Sequence, residues 1–203
     1  MSRISFPTPE TMSQEQLSIY ADVVSGPRGR LVGPLRAAIH NPELATHWQR
    51  LGSVLRYRTS LPNHLKELAI LVTARRWNAA VEWSIHEREA VVAGLAQTII
   101  DDIAHGRVPD FSDTPNAGIV YEFVRQVLTQ SNTDEDIYQK ALRIWGEKGV
   151  VELSSVIGYY SLVAMTLNVH SIPMPEGTHN TLPPHESEGL YNLPVYQSEM
   201  NDV

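Results

Sequence analysis

Apolar side chains recur every three or four positions over most of the chain, which is the period of helices that bury one face. Glycine, proline and asparagine separate these stretches. No stretch shows the two-residue alternation that is typical of a half-buried strand. The pattern therefore predicts one all-α domain, a helical bundle of about eight or nine helices, over residues 14–25, 35–39, 42–58, 62–77, 79–93, 97–105, 116–128, 134–145 and 150–169.

The helix predicted at 62–77 carries apolar residues on a wide face, so it should lie largely inside the protein. The helix predicted at 42–58 has Asn41 as its cap and Pro42 in its first turn. Its positions expected to be buried at helical spacing are Leu44, Trp48, Leu51 and Leu55.

Proline content divides the chain into three parts. Residues 1–11 are predicted to form an extended N-terminal arm, 12–170 the helical domain, and 171–203 a proline-rich C-terminal tail without long regular elements. The tail also contains leucines and tyrosines, more than a solvated segment usually has. We expect part of it to lie along its own domain or a neighbouring subunit.

Composition excludes several classes of protein. The net charge of −7 argues against a nucleic-acid or anionic-membrane partner, because both need a basic surface. We find neither an uninterrupted apolar run of about 18 residues nor an N-terminal secretory signal, so a cytoplasmic protein is expected. The chain contains no cysteine, which rules out disulfides, thiolate nucleophiles and cysteine-bound metals.

Glu67, Glu82 and His86 are the candidate catalytic residues. Glu82 and His86 are four apart and share a helical face, while Glu67 lies in the preceding apolar helix. If the two helices turn near Asn78, Glu67 and His86 lie about 16 and 12 Å from the turn and can approach each other. Two carboxylates and an imidazole would then converge in a largely apolar pocket, where acid–base groups acquire useful pKa values.

Other interpretations of these residues stay open. A buried Glu–His pair can be a satisfied polar contact of the core, and Glu43 and His47 have the same spacing in a setting typical of a surface pair. Metal binding is disfavoured because one histidine with two glutamates is a sparse ligand set without an HExxH motif. The glycine-rich loop at 26–34 is either a solvated turn or an anion-binding loop that uses Arg28 or Arg30.

Three segments resemble the carboxymuconolactone decarboxylase family, which includes the alkylhydroperoxidase D-like proteins. They are ELAIL at 67–71, EWSIHEREAVVAGL at 82–95, and IGYYSLVAMTLNVHSIPMPEG at 157–177. The resemblance implies a helical domain of the alkylhydroperoxidase D-like type that assembles as a homo-oligomer, a trimer or hexamer, with active sites near subunit contacts.

The redox branch of that family carries a CxxCxxxH motif, and His86 matches its histidine. The two cysteine positions then fall on Ala79 and Glu82, and the family's proton-relay glutamate matches Glu67. A thiol peroxidase reaction is therefore excluded, and the pattern resembles the thiol-free branch of the family.

For that branch, the resemblance implies cofactor-free decarboxylation of a small lactone acid, or a related lyase, hydrolase or isomerase step, in the catabolism of aromatic compounds. His86 would transfer the proton, Glu82 would orient the imidazole ring of His86, and Glu67 would act as partner or second acid–base group. The predicted substrate-binding residues are Arg28, Arg30 and Arg56 for the carboxylate, with Trp83 and Tyr160 as pocket walls. The alternative for Trp83 is a place in the hydrophobic core. The alternative is a non-catalytic oligomeric binding or scaffold protein of the same fold.

Overall fold

The computed structural model describes residues 2–184 and 190–196, and every regular element within them is an α-helix. The all-α prediction is therefore confirmed. The eight helices are α1 (Gln14–Ser25), α2 (Leu35–Ala38), α3 (Pro42–Tyr57), α4 (Asn63–Arg76), α5 (Ala80–Val92), α6 (Gln97–His105), α7 (Pro115–Gln130) and α8 (Glu135–Val169).

Helix α4 is the centre of the bundle. It packs against α5, α6, α7 and α8, and all of its residues from 65 to 75 are buried. Leu68, Ile70 and Leu71 have no exposed surface at all. Burying a side chain of this size contributes roughly 1.5–3 kcal/mol. The helix that the sequence predicts to be largely inside is thus the one around which the others assemble.

A tight turn at Asn78 folds α5 back onto α4. Asn78 has a φ of 48°, in the left-handed region that asparagine tolerates better than most residues. The Ala79 N–H donates to the Ala74 carbonyl at 2.9 Å, and Arg75 Nη1 donates to Asn78 Oδ1 at 2.9 Å. The turn predicted at this position is confirmed, and it fixes the register between α4 and α5.

Helix α8 joins two helices that the sequence separates, at 134–145 and 150–169. Gly146 has a φ of 64° and a ψ of −180°, so the chain bends there without a connecting loop. Of the described helices, only α8 has the length and apolar composition of a membrane span, and half of its most apolar window is buried. Its packing against α4 and α7 accounts for much of this apolar character.

Helix α3 differs from its predicted burial pattern. Trp48 and Leu55 are buried, but Leu44 and Leu51 are 48% and 49% exposed. The prediction that these two leucines are buried is wrong. The main neighbours of α3 are α1, α2 and α8, and they leave the face with Leu44 and Leu51 uncovered.

The described parts of the arm and the tail lie on the domain. The Arg3 N–H donates to the His170 carbonyl at 2.9 Å, at the end of α8. In the tail, Leu182 and Leu193 are buried, and the Tyr191 N–H donates to the Arg76 carbonyl at 2.8 Å. The expectation that part of the tail packs on its own domain is confirmed, while 185–189 and 197–203 lie outside the described residues.

Candidate active site

The α4–α5 hairpin brings the three predicted catalytic side chains into contact. His86 Nδ1 lies 2.6 Å from Glu67 Oε2, and His86 Nε2 lies 3.0 Å from Glu82 Oε1. Their exposed fractions are 2% for His86, 5% for Glu67 and 4% for Glu82. Each nitrogen of the imidazole therefore has its own carboxylate partner, away from bulk water.

Charge favours a doubly protonated ring at His86. Burial alone would lower its pKa, but the negative charges of Glu67 and Glu82, together with their hydrogen bonds, raise the pKa of His86 to about 9. Burial also opposes ionisation of Glu67, yet His86, Lys66 and Arg56 outweigh it and lower the pKa of that carboxyl. At neutral pH the group is an imidazolium that donates one hydrogen bond to each glutamate.

Lys66 and Tyr160 complete the surroundings of this charged group. The Lys66 ammonium donates to the Arg56 carbonyl at 2.6 Å and lies 3.9 Å from Glu67 Oε1. The ring of Tyr160, on α8, meets the His86 ring edge-on with centroids 5.0 Å apart. Burial raises the pKa of Tyr160 well above its usual value, so Tyr160 stays a neutral phenol.

A small hollow and a larger cleft lie next to the imidazolium. The hollow has a volume of about 40 Å³, and Glu82, His86, Tyr159 and Tyr160 contribute to its wall. The cleft has a volume of about 460 Å³. Both are lined by Arg28, Val32, Arg56 and Ile85, so the hollow adjoins the inner end of the cleft.

The cleft is rich in arginine. Its wall includes Arg28 and Arg30 from the loop after α1, Arg56 from α3 and Arg88 from α5. Among the described lining residues, Glu89 is the one carboxylate. Arg56 lies 3.6 Å from Glu89, and the other three arginines make no ion pair with a described residue. Such a cleft favours an anionic ligand.

Gly52 leaves room on α3 for the close approach of the Arg28 and Tyr159 side chains. A Cβ at this position would overlap the Tyr159 hydroxyl and lie 2.6 Å from Arg28 Nη2. Arg28 Nη2 itself lies 3.5 Å from the Tyr159 hydroxyl. The absence of a side chain at Gly52 therefore helps to hold Arg28 between the cleft and the hollow.

No protein-family model matches the sequence, and a sequence comparison with curated proteins finds no match either. Solved structures do match the fold. An uncharacterised peroxidase-related protein from Silicibacter sp. TM1040 has a TM-score of 0.66 and 12% identity, covering 86% of this chain and 92% of that protein. The alkylhydroperoxidase AhpD core protein from Ralstonia eutropha JMP134, also described as peroxidase-related, has a TM-score of 0.67 and 14% identity, covering 86% and 93%.

This chain has the alkylhydroperoxidase D-like fold. A cysteine-to-alanine variant of the debrominase Bmp8, in complex with 2,3,4-tribromopyrrole, shares it with a TM-score of 0.64 and 13% identity, covering 87% of this chain and 95% of that protein. Identities this low establish the fold alone.

Within this alkylhydroperoxidase D-like fold, most predicted site residues lie around the cavities. Arg28, Arg30 and Arg56 line the cleft, and Tyr160 lines the hollow. Trp83 differs from its predicted role as a pocket wall. Its side chain has no exposed surface and belongs to the hydrophobic core rather than to the lining of the cleft or hollow, because it points from α5 into the bundle.

Glu67 also differs from the expected arrangement of one pocket shared by all three catalytic candidates. It lines another cavity of about 280 Å³, together with Asn63 and Lys66, whereas Glu82 and His86 line the hollow. The hollow that Glu82 and His86 line has a wall of mostly aliphatic and tyrosine side chains, and it adjoins the arginine-rich cleft. His86 therefore links the cavity lined by Glu67 to the hollow lined by Glu82, since its ring contacts both carboxylates.

Several residues of the site are absent from the sequence prediction. Ser84 and Arg88 line the cleft and are four apart on α5, so the helical period that pairs Glu82 with His86 could have indicated them. Pro175 and Thr178 come from the tail, and no local pattern places that segment beside α5.

Among the described residues, no group of three histidine, aspartate or glutamate side chains has an arrangement suited to one metal ion. In the observed geometry both nitrogens of His86 already face carboxylates within hydrogen-bonding distance. A metal ion would have to displace one of these contacts to bind the ring.

Proposed function

We propose that this protein is a cofactor-free acid–base enzyme that acts on a small carboxylated molecule, with decarboxylation as the model reaction. The observation that carries the proposal is a buried imidazolium, held between two carboxylates, beside a hollow at the inner end of an arginine-lined cleft. The combination supplies an acid, a water-poor reacting position and a site for anions.

In the proposed reaction, Arg28 and Arg56 hold the anionic substrate where cleft and hollow meet. The bond between the leaving carboxylate and its carbon breaks, carbon dioxide departs, and the electron pair moves into an adjacent carbonyl group. The electron pair then returns to the carbon, which takes the proton of Nε2 of His86. This proton leaves its hydrogen bond to Glu82, which orients the ring before the transfer. Glu67 stabilises the imidazolium from its other side, and solvent restores the proton.

The geometry also leaves room for the alternative, a binding or scaffold protein without chemistry. Both nitrogens of His86 are satisfied, and none of the three residues is more than 5% exposed. A satisfied charged group in a core is a known structural feature. The alternative and the enzyme proposal differ in one measurable quantity, which is turnover.

The test is a screen of lactone acids and keto acids, followed by carbon dioxide release and substrate absorbance. We expect turnover by the wild type and a loss of about 10²–10⁴-fold in Glu82→Gln and His86→Gln, the usual size of an acid–base contribution. Glu43→Gln is the matched control, because Glu43 has the same spacing to a histidine on an exposed part of α3. Equal turnover in wild type and His86→Gln would contradict the proposal, and an inactive wild type would favour the scaffold alternative.

We also propose that the protein assembles as a homo-oligomer, a trimer or hexamer. The solvent-facing side of α8 supports this, because Val151, Leu162, Met165 and Val169 are 39–65% exposed at helical spacing. Exposed apolar surface of this kind is typical of subunit contacts. Multi-angle light scattering of wild type should give a mass above 22.7 kDa, and Leu162→Lys with Met165→Lys should reduce it. A wild-type monomer at micromolar concentration would contradict this assembly.

The proposed location is the cytoplasm, with α8 as a core helix rather than a membrane span. The contacts of α8 with α4 and α7 support its role as a core helix. With a net charge of −7, no nucleic-acid or membrane partner enters the proposal.

A further inference from the structure

The four arginines of the cleft fall into two groups. Arg28 and Arg56 line both the hollow and the cleft, so they lie at the inner end beside Glu82. Arg30 and Arg88 line the cleft only, and both are exposed. The cleft therefore has an inner and an outer pair of guanidinium groups.

The outer pair has no ionic or hydrogen-bonding partner in the described part of the protein. Neither Arg30 nor Arg88 makes an ion pair or a side-chain hydrogen bond with any residue in the described ranges 2–184 and 190–196. At the inner end, the one hydrogen bond of the Arg28 side chain to a described residue goes to the Tyr159 hydroxyl. Arg56 pairs with Glu89, whose side chain is about half exposed. Guanidinium groups that converge on a cleft without carboxylate partners are suited to ligand carboxylates or phosphates.

The sizes of the two cavities indicate which part of a ligand goes where. The hollow, at about 40 Å³, has less than a tenth of the volume of the cleft, so only a small part of a ligand fits in it. The cleft, at about 460 Å³, is in the range of about 300–1,000 Å³ that is usual for drug-sized ligands. A compact lactone acid would leave much of this cleft unfilled.

The separation along α5 gives a scale for the ligand. Arg88 is six residues after Glu82, which corresponds to about 9 Å along the helix axis. The tail forms the wall opposite this stretch through Pro175 and Thr178, and Thr181 is hydrogen-bonded to Glu87 of α5. The outer half of the cleft therefore has a wall from α5 and a wall from the tail.

We propose that the cleft binds an extended ligand with an anionic group at each end. One end lies at Arg28 and Arg56 next to the hollow, and the other lies at Arg30 and Arg88. The proposal rests on the acid–base function above for the identity of the reacting end. It differs from the lactone acid of the resemblance in requiring a longer molecule with a second, remote anion.

The experiment is isothermal titration calorimetry with straight-chain acids as probes. We compare octanoate, which has one carboxylate, with suberate, the dicarboxylate of the same chain length, and with malonate, a short dicarboxylate. Suberate should bind wild type about ten- to a hundred-fold more tightly than octanoate, the range expected for one additional charge-assisted contact. Malonate should bind more weakly than suberate, because it cannot reach both arginine pairs.

Variants separate the outer pair from general charge. Arg30→Met with Arg88→Met should bring suberate to the affinity of octanoate while leaving octanoate itself unchanged. Arg143→Met is the matched control, since Arg143 is exposed on α8 outside the cleft, and it should change neither affinity. Because both outer arginines are exposed, their replacement should leave the melting temperature unchanged, which confirms that the variant is folded.

Three results would overturn the proposal. They are equal affinities of wild type for suberate and octanoate, malonate binding as tightly as suberate, and a suberate preference that survives in the outer-pair variant. Calorimetry reports binding without turnover. A failure here therefore leaves the acid–base function untouched, and an absence of turnover leaves this binding proposal untouched.

Discussion

Replacing His86 by alanine is expected to lower the free energy of unfolding by about 3–5 kcal/mol, the range found when one partner of a buried charged group is removed. The imidazolium is the cation between Glu67 and Glu82, and all three side chains are buried. Without it, two carboxylates remain close together in a water-poor setting, with Lys66 3.9 Å from only one of them. Urea unfolding at pH 7 measures the loss.

The matched control for this prediction is His47→Ala. His47 follows Glu43 at the same spacing as His86 follows Glu82, but it is exposed on α3. Its replacement should change stability by less than about 0.5 kcal/mol. Adding Glu67→Gln and Glu82→Gln to His86→Ala should recover part of the lost stability, because amides cost less to bury than carboxylates. Equal losses in His86→Ala and His47→Ala would mean that the buried charges do not interact as described.

The central part of the site follows from local physics, and for that reason the sequence can predict it. The apolar width of α4 indicates that it is buried, and Asn78 marks the turn. Counting residues from that turn gives Glu67 and His86 similar distances from it along the two helix axes. In the structure, Glu67 Oε2 and His86 Nδ1 are 2.6 Å apart. Helical periodicity and one turn are sufficient for this contact.

The cleft depends on segments that are distant in sequence, and periodicity gives no information about them. The tail reaches α5 through Pro175 and Thr178, more than 80 residues after Arg88. The arginines are visible in the sequence, but their convergence depends on a loop, two helices and the tail meeting at one place. Leu44 and Leu51 illustrate the same limit, since an apolar helical face is predictable whereas the neighbour that covers it is not.

Raising the pH from 6.5 to about 9 is expected to remove about 3 kcal/mol of stability. The pKa of His86 is about 9 in the folded protein, against 6.5 for an unperturbed histidine in the unfolded chain. Between these values the folded state binds one proton more than the unfolded state, so stability falls as pH rises, by up to about 1.4 kcal/mol per pH unit. Below pH 6.5 both states carry the proton, and the contribution of His86 is fully present.

Urea unfolding at closely spaced pH values measures this slope, and His86→Gln provides the reference that lacks it. The comparison is needed because other groups face the same ring or titrate just above this range. Burial lowers the pKa of Lys66, which acts in the opposite direction, and raises those of Tyr159 and Tyr160. On the acidic side, Glu67 has a lowered pKa, so its contribution is present above the unfolded value of 4.5 and is lost as pH falls through the folded pKa.

¹⁵N NMR of histidine-labelled protein at pH 7.5 should show both nitrogens of His86 protonated. A neutral ring at that pH, or a wild-type slope equal to that of His86→Gln, would contradict an imidazolium between the two carboxylates and with it the role of His86 as the proton donor.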